Sequence, residues 1–485
     1  MKKILCFILS LIMLLSSAVL MFSCGKDEAA NGGTSGEIKK YEEDSIFYER
    51  SLVEDGLDAK DYGGRVFRTV EAGNEVYISE DQQNKGQLVV DAKFARNQAV
   101  ENRFNVKIEC VYKGNYVEVN EYASKTILAG SDEFDLLLGQ VLETANSVGK
   151  NLFLNWYNIE HIDFSKPWWF ETMSENLSYD NKAILAISHL NHSAVSGVYC
   201  YFFNKNLAAS YELGDLYSVV LDGNWTFDKF MEIVKDIYED DGDNVRNEND
   251  LYGFAQGSGT GINSYLWAFD NPICAKNAEG KPEIVLNSSK IDSIIADIYD
   301  MCYNTTGVFY DKRGKVNTSQ MFYEKKSVFM LIGLDEATTD KLRNFEDDYG
   351  ILPMPKYDEN QPQYYTMVGG HHSAMAIPKT VKDTEFVGRI IEALSAESWK
   401  TVTPTLYEIA LKTRYLRDSE SKTVMDIIID NVVFDFGYVY NTGFSYIVQD
   451  MMKGGKTNFQ SFFKASNSNA KYKMKAVMKA FDKLQ

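Results

Sequence analysis

The sequence predicts an α/β chain built from two open sheets flanked by helices, on three observations. Its 485 residues exceed one ordinary domain and suit two, at roughly 100–200 residues each. Hydrophobic residues at 45% and charged residues at 25% are globular proportions, which exclude a disordered or collagen-like chain. Strand and helix patterns alternate through the first third and again through the middle.

The amino terminus sets the compartment. Lys2 and Lys3 precede an apolar stretch over residues 4–20, and Met21-Phe22-Ser23-Cys24 follows. A basic start, an apolar middle and a small residue before the cut mark an export signal over residues 1–23. The stretch approaches the roughly 20 apolar residues of a membrane span, but Ser23-Cys24 favours cleavage. The segment resembles a bacterial lipoprotein signal, in which Cys24 becomes the lipidated first residue, although Met21 and Phe22 depart from the usual upstream pattern. Residues 24–60 then read as an anchored tether. Gly32, Gly33, Ser35 and Gly36 leave its first part too little apolar surface to offset the entropy of ordering.

Within the body, residues 66–70 read as the first strand, and Asp91 as the cap of a helix with Ala92, Ala95 and Ala99 on one face. Val106, Ile108 and Cys110 alternate with polar residues as a second strand. A helix over 119–129 stops at Gly130, and the apolar run 134–138 reads as a buried parallel strand. Ligands sit beyond the carboxyl ends of such strands, which singles out loops 72–77 and 139–143. The middle repeats the scheme. Residues 198–204 form an aromatic strand, Thr226 caps a helix running to Tyr238, a helix starts at Asn287 or Ser288, and 328–332 form a buried strand. A helix spans 386–394, and a final amphipathic helix carries solvated Lys residues from Lys464 to Lys483.

The formal charge is −19, from 50 basic and 69 acidic residues, which excludes nucleic acid as a partner. Besides Cys6 and Cys24 there are Cys110, Cys200, Cys274 and Cys302, without CxxC spacing. Free thiols are expected, with Cys274 and Cys302 the one pair to check.

A set of local patterns, in order, resembles the family 1 extracellular solute-binding proteins, the substrate-capturing lipoproteins of ABC importers. Tyr201-Phe202-Phe203-Asn204-Lys205-Asn206-Leu207 is similar to that family's Y-N-K-D-L, and Asn224-Trp225-Thr226-Phe227-Asp228 to its T-W-D-E helix start. Asp250-Leu251-Tyr252-Gly253-Phe254 is similar to D-x-Y-G-F, Tyr349-Gly350-Ile351-Leu352-Pro353-Met354-Pro355 to G-x-x-P-x-P, and Ala376-Ile377-Pro378-Lys379 to its post-hinge strand end. Gly130 with Phe134-Asp135-Leu136 belongs to the same series. The resemblance implies a two-lobed periplasmic-binding-protein-like fold, each lobe an open α/β sheet flanked by helices, joined by a multi-strand hinge. Lobe one would hold 61–195 and 371–418, and lobe two 196–370 and 419–485. Gly369 and Gly370 suit the hinge, because glycine absorbs backbone change. The implied function is capture of a small solute, favoured to be an oligosaccharide, by a monomer lipid-anchored on the extracellular face of the cell membrane, and its delivery to ABC permease subunits.

A sugar needs aromatic platforms and hydrogen-bonding edges. Trp267 is the platform candidate. Tyr438 and Tyr440 share one side of an extended chain and would face the cleft together. Gln140 is the lobe-one polar contact, with Glu75 a second one; His371 and His372 offer hydrogen bonds to the ligand. Trp168 and Trp169, after Pro167, read as a packed corner.

Two metal readings arise. His189, His192, His371 and His372 do not complete the three or four ligands that zinc needs. The acidic loop from Glu239 resembles a twelve-residue calcium loop with oxygens from Asp241, Asp243, Asn247 and Asp250 and the carbonyl of Val245. An acidic surface turn is the competing reading, so no cofactor is required and structural calcium is the one option. No intact phosphate-binding loop or nucleophile elbow is present, which favours a binding protein over an enzyme. The alternative is a surface-anchored glycosidase or lyase, whose carboxylate pair sequence alone does not single out.

Overall fold

The structure, a computed structural model, describes residues 47–79, 82, 87–411 and 419–484. The signal, Cys24 and the tether up to residue 46 lie outside the described residues. The expected tether ends earlier than residue 60. Residues 47–60 run along the body, where Arg50 donates to the carbonyl of Trp399 at 3.2 Å, Asp55 pairs with Arg103, and Lys60 pairs with Glu385 at 2.7 Å. Charged side chains that each find a partner on the body hold down a segment whose composition alone reads as loose.

The first sheet begins with β1 (Arg65–Glu71), β2 (Val106–Lys113) and β3 (Leu136–Gln140), all parallel, with β1 in the middle. Helix Leu88–Phe104 connects β1 to β2 and starts three residues before Asp91, ending at Asn105 in the left-handed conformation (φ 47°). Helix Tyr116–Leu128 is opened by a reciprocal cap in which the Asn115 side chain and Glu118 satisfy each other's backbone amides. Gly130 follows it with φ 75°, a conformation that a side chain would strain.

The second sheet takes over at β4 (Tyr199–Asn204). Helix Phe227–Val234 is capped by Thr226 as expected but stops at Val234, because Tyr238–Glu239 forms a short strand, β5, against β6 (Leu251–Gly257). A separate hairpin, β7 (Cys274–Lys276) with β8 (Pro282–Ile284), lies off the sheet. Helix Ile291–Tyr303 leads to β9 (Val308–Asp311), then β10 (Ser327–Gly333) and β11 (Tyr349–Leu352). The order across the sheet is β11-β4-β10-β6, with β5 and β9 both on the far edge of β6. Its core includes Trp225, which donates to the carbonyl of Pro353 at 2.9 Å and lies against Phe230 and Tyr201. The tryptophan of the expected helix-start motif is therefore a core anchor.

Three segments run between the sheets. The first is helix His192–Ser196 into β4. The second is β12 (Thr366–Met367), which leads through Gly369 and Gly370 to β13 (Ser373–Ala376), antiparallel to β3 on the first sheet. The third is β14 (Val432–Val433), parallel to β12. Val198 bridges Val368, and the Gly369 amide donates to the Gly197 carbonyl at 3.1 Å, so the first two segments are also tied together. Asp418, the expected third crossing, lies outside the described residues; helix Ser419–Asp430 already packs on β11 and on helix Leu216–Leu221. Helix Phe459–Phe481 starts five residues before Lys464 and packs on helix Ile291–Tyr303 and on the turn Ser147–Lys150. No helix among the described residues is long and apolar enough to cross a membrane. Cys110, Cys200, Cys274 and Cys302 are all free thiols.

Candidate functional site

The loop after β1 is clamped from both sides. The Glu71 carboxylate, fully buried, accepts from Thr69 Oγ1 and from the amides of Glu75, Val76 and Tyr77. Lys93 donates to the Asn74 carbonyl at 2.6 Å, and Arg96 to the carbonyls of Glu75 and Val76 at 3.2 and 3.0 Å. Burial disfavours each charge: it raises the Glu71 carboxyl and lowers Lys93 to about 8 and Arg96 to about 10. This clamp aims Glu75, itself buried, at the Ser193 amide (3.2 Å) and the Ser373 hydroxyl (3.1 Å). Glu75 thus ties the loop to helix His192–Ser196 and to β13, and it is a positioning group here, not an open ligand contact.

The other candidates meet at the Gly369–Gly370 passage. Gln140 Nε2 donates to the Gly370 carbonyl at 2.6 Å, while its Oε1 caps helix Val141–Asn146. Tyr438 is buried, and its hydroxyl lies so close to the Gly370 backbone that a Cβ there would come within 2.6 Å of it. Its ring stands edge-on to Trp267 at 5.3 Å between centroids and to Tyr446 at 6.3 Å. Tyr199 approaches from the start of β4; its hydroxyl lies 3.3 Å from Thr260 Oγ1. A Cβ on Gly369 would come within 3.4 Å of that hydroxyl, and one on Gly261 within 3.1 Å of its ring. Burial raises Tyr199 and Tyr438 further above the usual phenol value, so both remain neutral donors and acceptors across the physiological range.

The expected platform, Trp267, is only 2% exposed. Its indole donates to Asp435 at 2.9 Å, and the same carboxylate accepts from the amides of Ile273, Gly437 and Tyr438 at 2.6, 2.7 and 3.2 Å. Asp435 opens a short helix, Phe436–Val439, and this overturns the expected extended run. Side chains two apart in a helix point about 200° apart, so Tyr438 and Tyr440 do not share a side. Tyr438 faces the passage, whereas Tyr440 is buried and donates to the Leu177 carbonyl at 3.1 Å. His371 is exposed. His372 is buried, and burial lowers it to about 4, so it is neutral. The Gly369 carbonyl, 2.7 Å from its Nδ1, can only accept, so Nδ1 carries the proton and the unpartnered Nε2 is an acceptor.

Sequence reasoning missed Tyr199, Thr260 and Tyr446. Tyr199 was read only as part of the aromatic strand 198–204, and Tyr446 lies past the aromatic run that drew attention to Tyr438. The Gly-rich stretch before Trp267 was the signal for Thr260, because Gly261 is what lets the Tyr199 ring approach.

The remaining sites lie apart. Trp168 and Trp169 are a packed corner, each indole donating to one oxygen of Glu392, at 2.9 and 3.0 Å. His189 stacks on Phe170 and bonds Thr403 at 2.9 Å. In the acidic loop, Asp240, Asp241 and Asp243 are exposed, with ligand atoms within 4.8 Å of one another. Val245 is exposed, and the Asn247 side chain bonds within the loop. Asp250 turns inward and accepts from Tyr238, Tyr252 and the amides of Asp241 and Asn247. Its oxygens are therefore engaged away from the three exposed carboxylates. Two cavities, of about 400 and 420 Å³, open beside Tyr303 and Tyr310 and beside Tyr323 and Phe345, and neither is lined by residues of the Gly369–Gly370 passage.

No protein-family model matches the chain, and no curated protein matches it. Solved structures do. The GacH receptor of Streptomyces glaucescens, determined unliganded and with acarbose, is 12% identical with a TM-score of 0.52 over 87% of this chain and 100% of that one. A cyclo/maltodextrin-binding protein complexed with maltotetraose is 12% identical, with a TM-score of 0.54 over 86% and 97%. An ABC substrate-binding protein of Listeria monocytogenes in complex with cycloalternan is 11% identical, with a TM-score of 0.51 over 87% and 99%. The likeness establishes the fold: two α/β lobes, each an open sheet flanked by helices, joined by a multi-strand hinge. These neighbours are named as a receptor and as binding proteins.

Proposed function

We propose that the protein is an extracellular solute-binding protein of the family 1 type, which captures an oligosaccharide between its lobes and hands it to the permease subunits of an ABC importer. One observation carries the reading. Tyr199, Tyr438, Tyr446 and Trp267 come from three separate chain segments and gather with Gln140 and Thr260 where the segments pass between the two sheets. Aromatic faces interleaved with neutral hydroxyl and amide edges match the alternating faces and edges of a sugar. The neighbours' ligands, acarbose, maltotetraose and cycloalternan, support the same solute class.

Closure follows from the geometry. A ligand that touches both lobes favours the closed state by its extra contacts there, and can shift the equilibrium by no more than that difference. Trp267 and Tyr438 are buried in the present arrangement, so a sugar reaches them only when the lobes part. We place the protein on the extracellular face of the membrane as a monomer, held by acyl chains on Cys24; more than one chain is needed for stable attachment.

A thermal-shift panel of linear and cyclic oligosaccharides on the full chain tests the reading. The expected result is a saturable rise in melting temperature with sugar recovered intact. Cleaved sugar would make the protein an enzyme instead. Mass spectrometry of the membrane-extracted protein tests the anchor, through acyl mass on the peptide that begins at Cys24.

A further inference from the structure

The final helix carries a charge pattern unlike the rest of the chain. Over its 23 residues, Phe459–Phe481, it holds five Lys and no Asp or Glu. The chain as a whole has 69 acidic residues in 485, so about three would be expected in a stretch of this length. Lys464, Lys471, Lys475 and Lys479 are all exposed. At about 100° per residue they fall within an arc of about 80°, and they extend over roughly 22 Å of the helix. The buried residues Phe459, Ala470, Met474 and Phe481 occupy the opposite side. Among the described residues, none of the four lysines lies within ion-pair distance of a carboxylate, whereas Lys60, Lys125, Lys229, Lys281, Lys325 and Lys326 each do. Tyr472 stands at the margin of the same arc and is 74% exposed, the most exposed large hydrophobic side chain of the described residues.

We propose that this face of the helix docks on an anionic phospholipid surface. An unpaired basic stripe attracts lipid phosphates, and each Lys close to such a surface adds to the binding. Salt confines the attraction to about 10 Å, so the face that touches the membrane decides the outcome and the net charge of −19 on the whole chain is screened. An exposed tyrosine among the lysines matches the headgroup level of a bilayer, where an amphipathic ring rests with its hydroxyl wet. That ring favours a lipid surface over a soluble polyanion, which would recognise the charge alone. The helix spans from helix Ile291–Tyr303 to the turn Ser147–Lys150, so docking by its outer face would fix the orientation of both lobes relative to the membrane.

The test is vesicle flotation of the chain begun at Gly25, which lacks both the apolar stretch of residues 4–20 and the cysteine that would carry acyl chains. Vesicles of phosphatidylglycerol in phosphatidylcholine should carry the protein up at about 50 mM salt, and pure phosphatidylcholine should not. Raising salt to about 500 mM should release it. Lys464→Gln, Lys471→Gln, Lys475→Gln and Lys479→Gln together should lower binding by on the order of a thousandfold, while the four Lys→Arg changes should retain it. Tyr472→Ser should weaken binding to vesicles but not to soluble polyphosphate. Equal binding to neutral vesicles, no binding at low salt, or binding to polyphosphate without binding to vesicles would each overturn the proposal. The salt and lipid arms use the unaltered helix, so they decide the matter even where the fourfold variant misfolds.

Discussion

Replacing Gly370 by Ala places a methyl group where the structure has no room. Its Cβ would lie 2.6 Å from the Tyr438 hydroxyl oxygen and 3.0 Å from Leu142 Cδ1, against ordinary contacts of 3.4–4 Å. A side-chain tip often yields to such a clash, but Tyr438 is boxed in. It is 5% exposed, its ring abuts Trp267, and Trp267 is fixed on Asp435. Overpacking of this kind costs about 1–3 kcal/mol. Unfolding entropy scales with length, so for a body of this size the cost lowers the melting temperature by about 1–3 °C. Tyr438→Phe removes the clashing oxygen. Alone it should shift stability by less than about 1 kcal/mol, because it removes one polar oxygen and keeps the packing of the ring on Trp267. In the Gly370→Ala background it should instead restore stability, giving a coupling energy of about 1 kcal/mol or more. Urea unfolding of the four proteins of the cycle measures it. Additive effects, or an alanine variant as stable as the parent, would refute the reasoning that glycine is needed there for the close approach of Tyr438.

Other outcomes follow from the same structure. Burial raises Glu392 to about 8, against the two indole hydrogen bonds that favour its charged form. A carboxyl whose folded pKa lies above its unfolded value contributes stability in full below about pH 4.5 and loses it as pH rises through about 8. Glu392→Gln should therefore gain on the parent by on the order of a few kcal/mol between about pH 5 and 9 in urea titrations; parallel pH profiles would contradict this. Trp267→Phe leaves the buried Asp435 carboxylate one donor short and should cost about 1–3 kcal/mol by the same assay. Excess calcium should move the melting temperature by less than about 1 °C, because Asp250 is turned away from Asp240, Asp241 and Asp243; a rise of several degrees would assign those residues a metal.

Much of the fold was legible because its strands are apolar runs and its helices carry clear caps. Arg65–Glu71, Tyr199–Asn204 and Ser327–Gly333 emerged within a residue or two of their expected bounds, and Thr226 caps its helix as read. The final helix was legible from its lysines, Lys464 to Lys483, but its start at Phe459 was not, because its first half shows little periodicity. The site was less legible. Trp267 and Tyr438 do meet, but through Asp435, whose five N–H partners come from two stretches, 267–274 and 437–438, and leave no pattern in sequence. That carboxylate also curls Phe436–Val439 into a helix and sends Tyr440 elsewhere, against the strong strand preference of an aromatic run. Gly369 and Gly370 were read for backbone freedom, yet neither has a positive φ; what they supply is space for Tyr199 and Tyr438.

Calorimetric titration of the purified full chain with linear maltooligosaccharides, followed by chromatography of the recovered sugar, tests solute capture most directly. The expected result is one site per chain, a negative heat-capacity change as the aromatic cluster closes on the ligand, and sugar of unchanged length. Shortened sugar, or an unchanged titration after Tyr199→Ala and Tyr438→Ala, would contradict it.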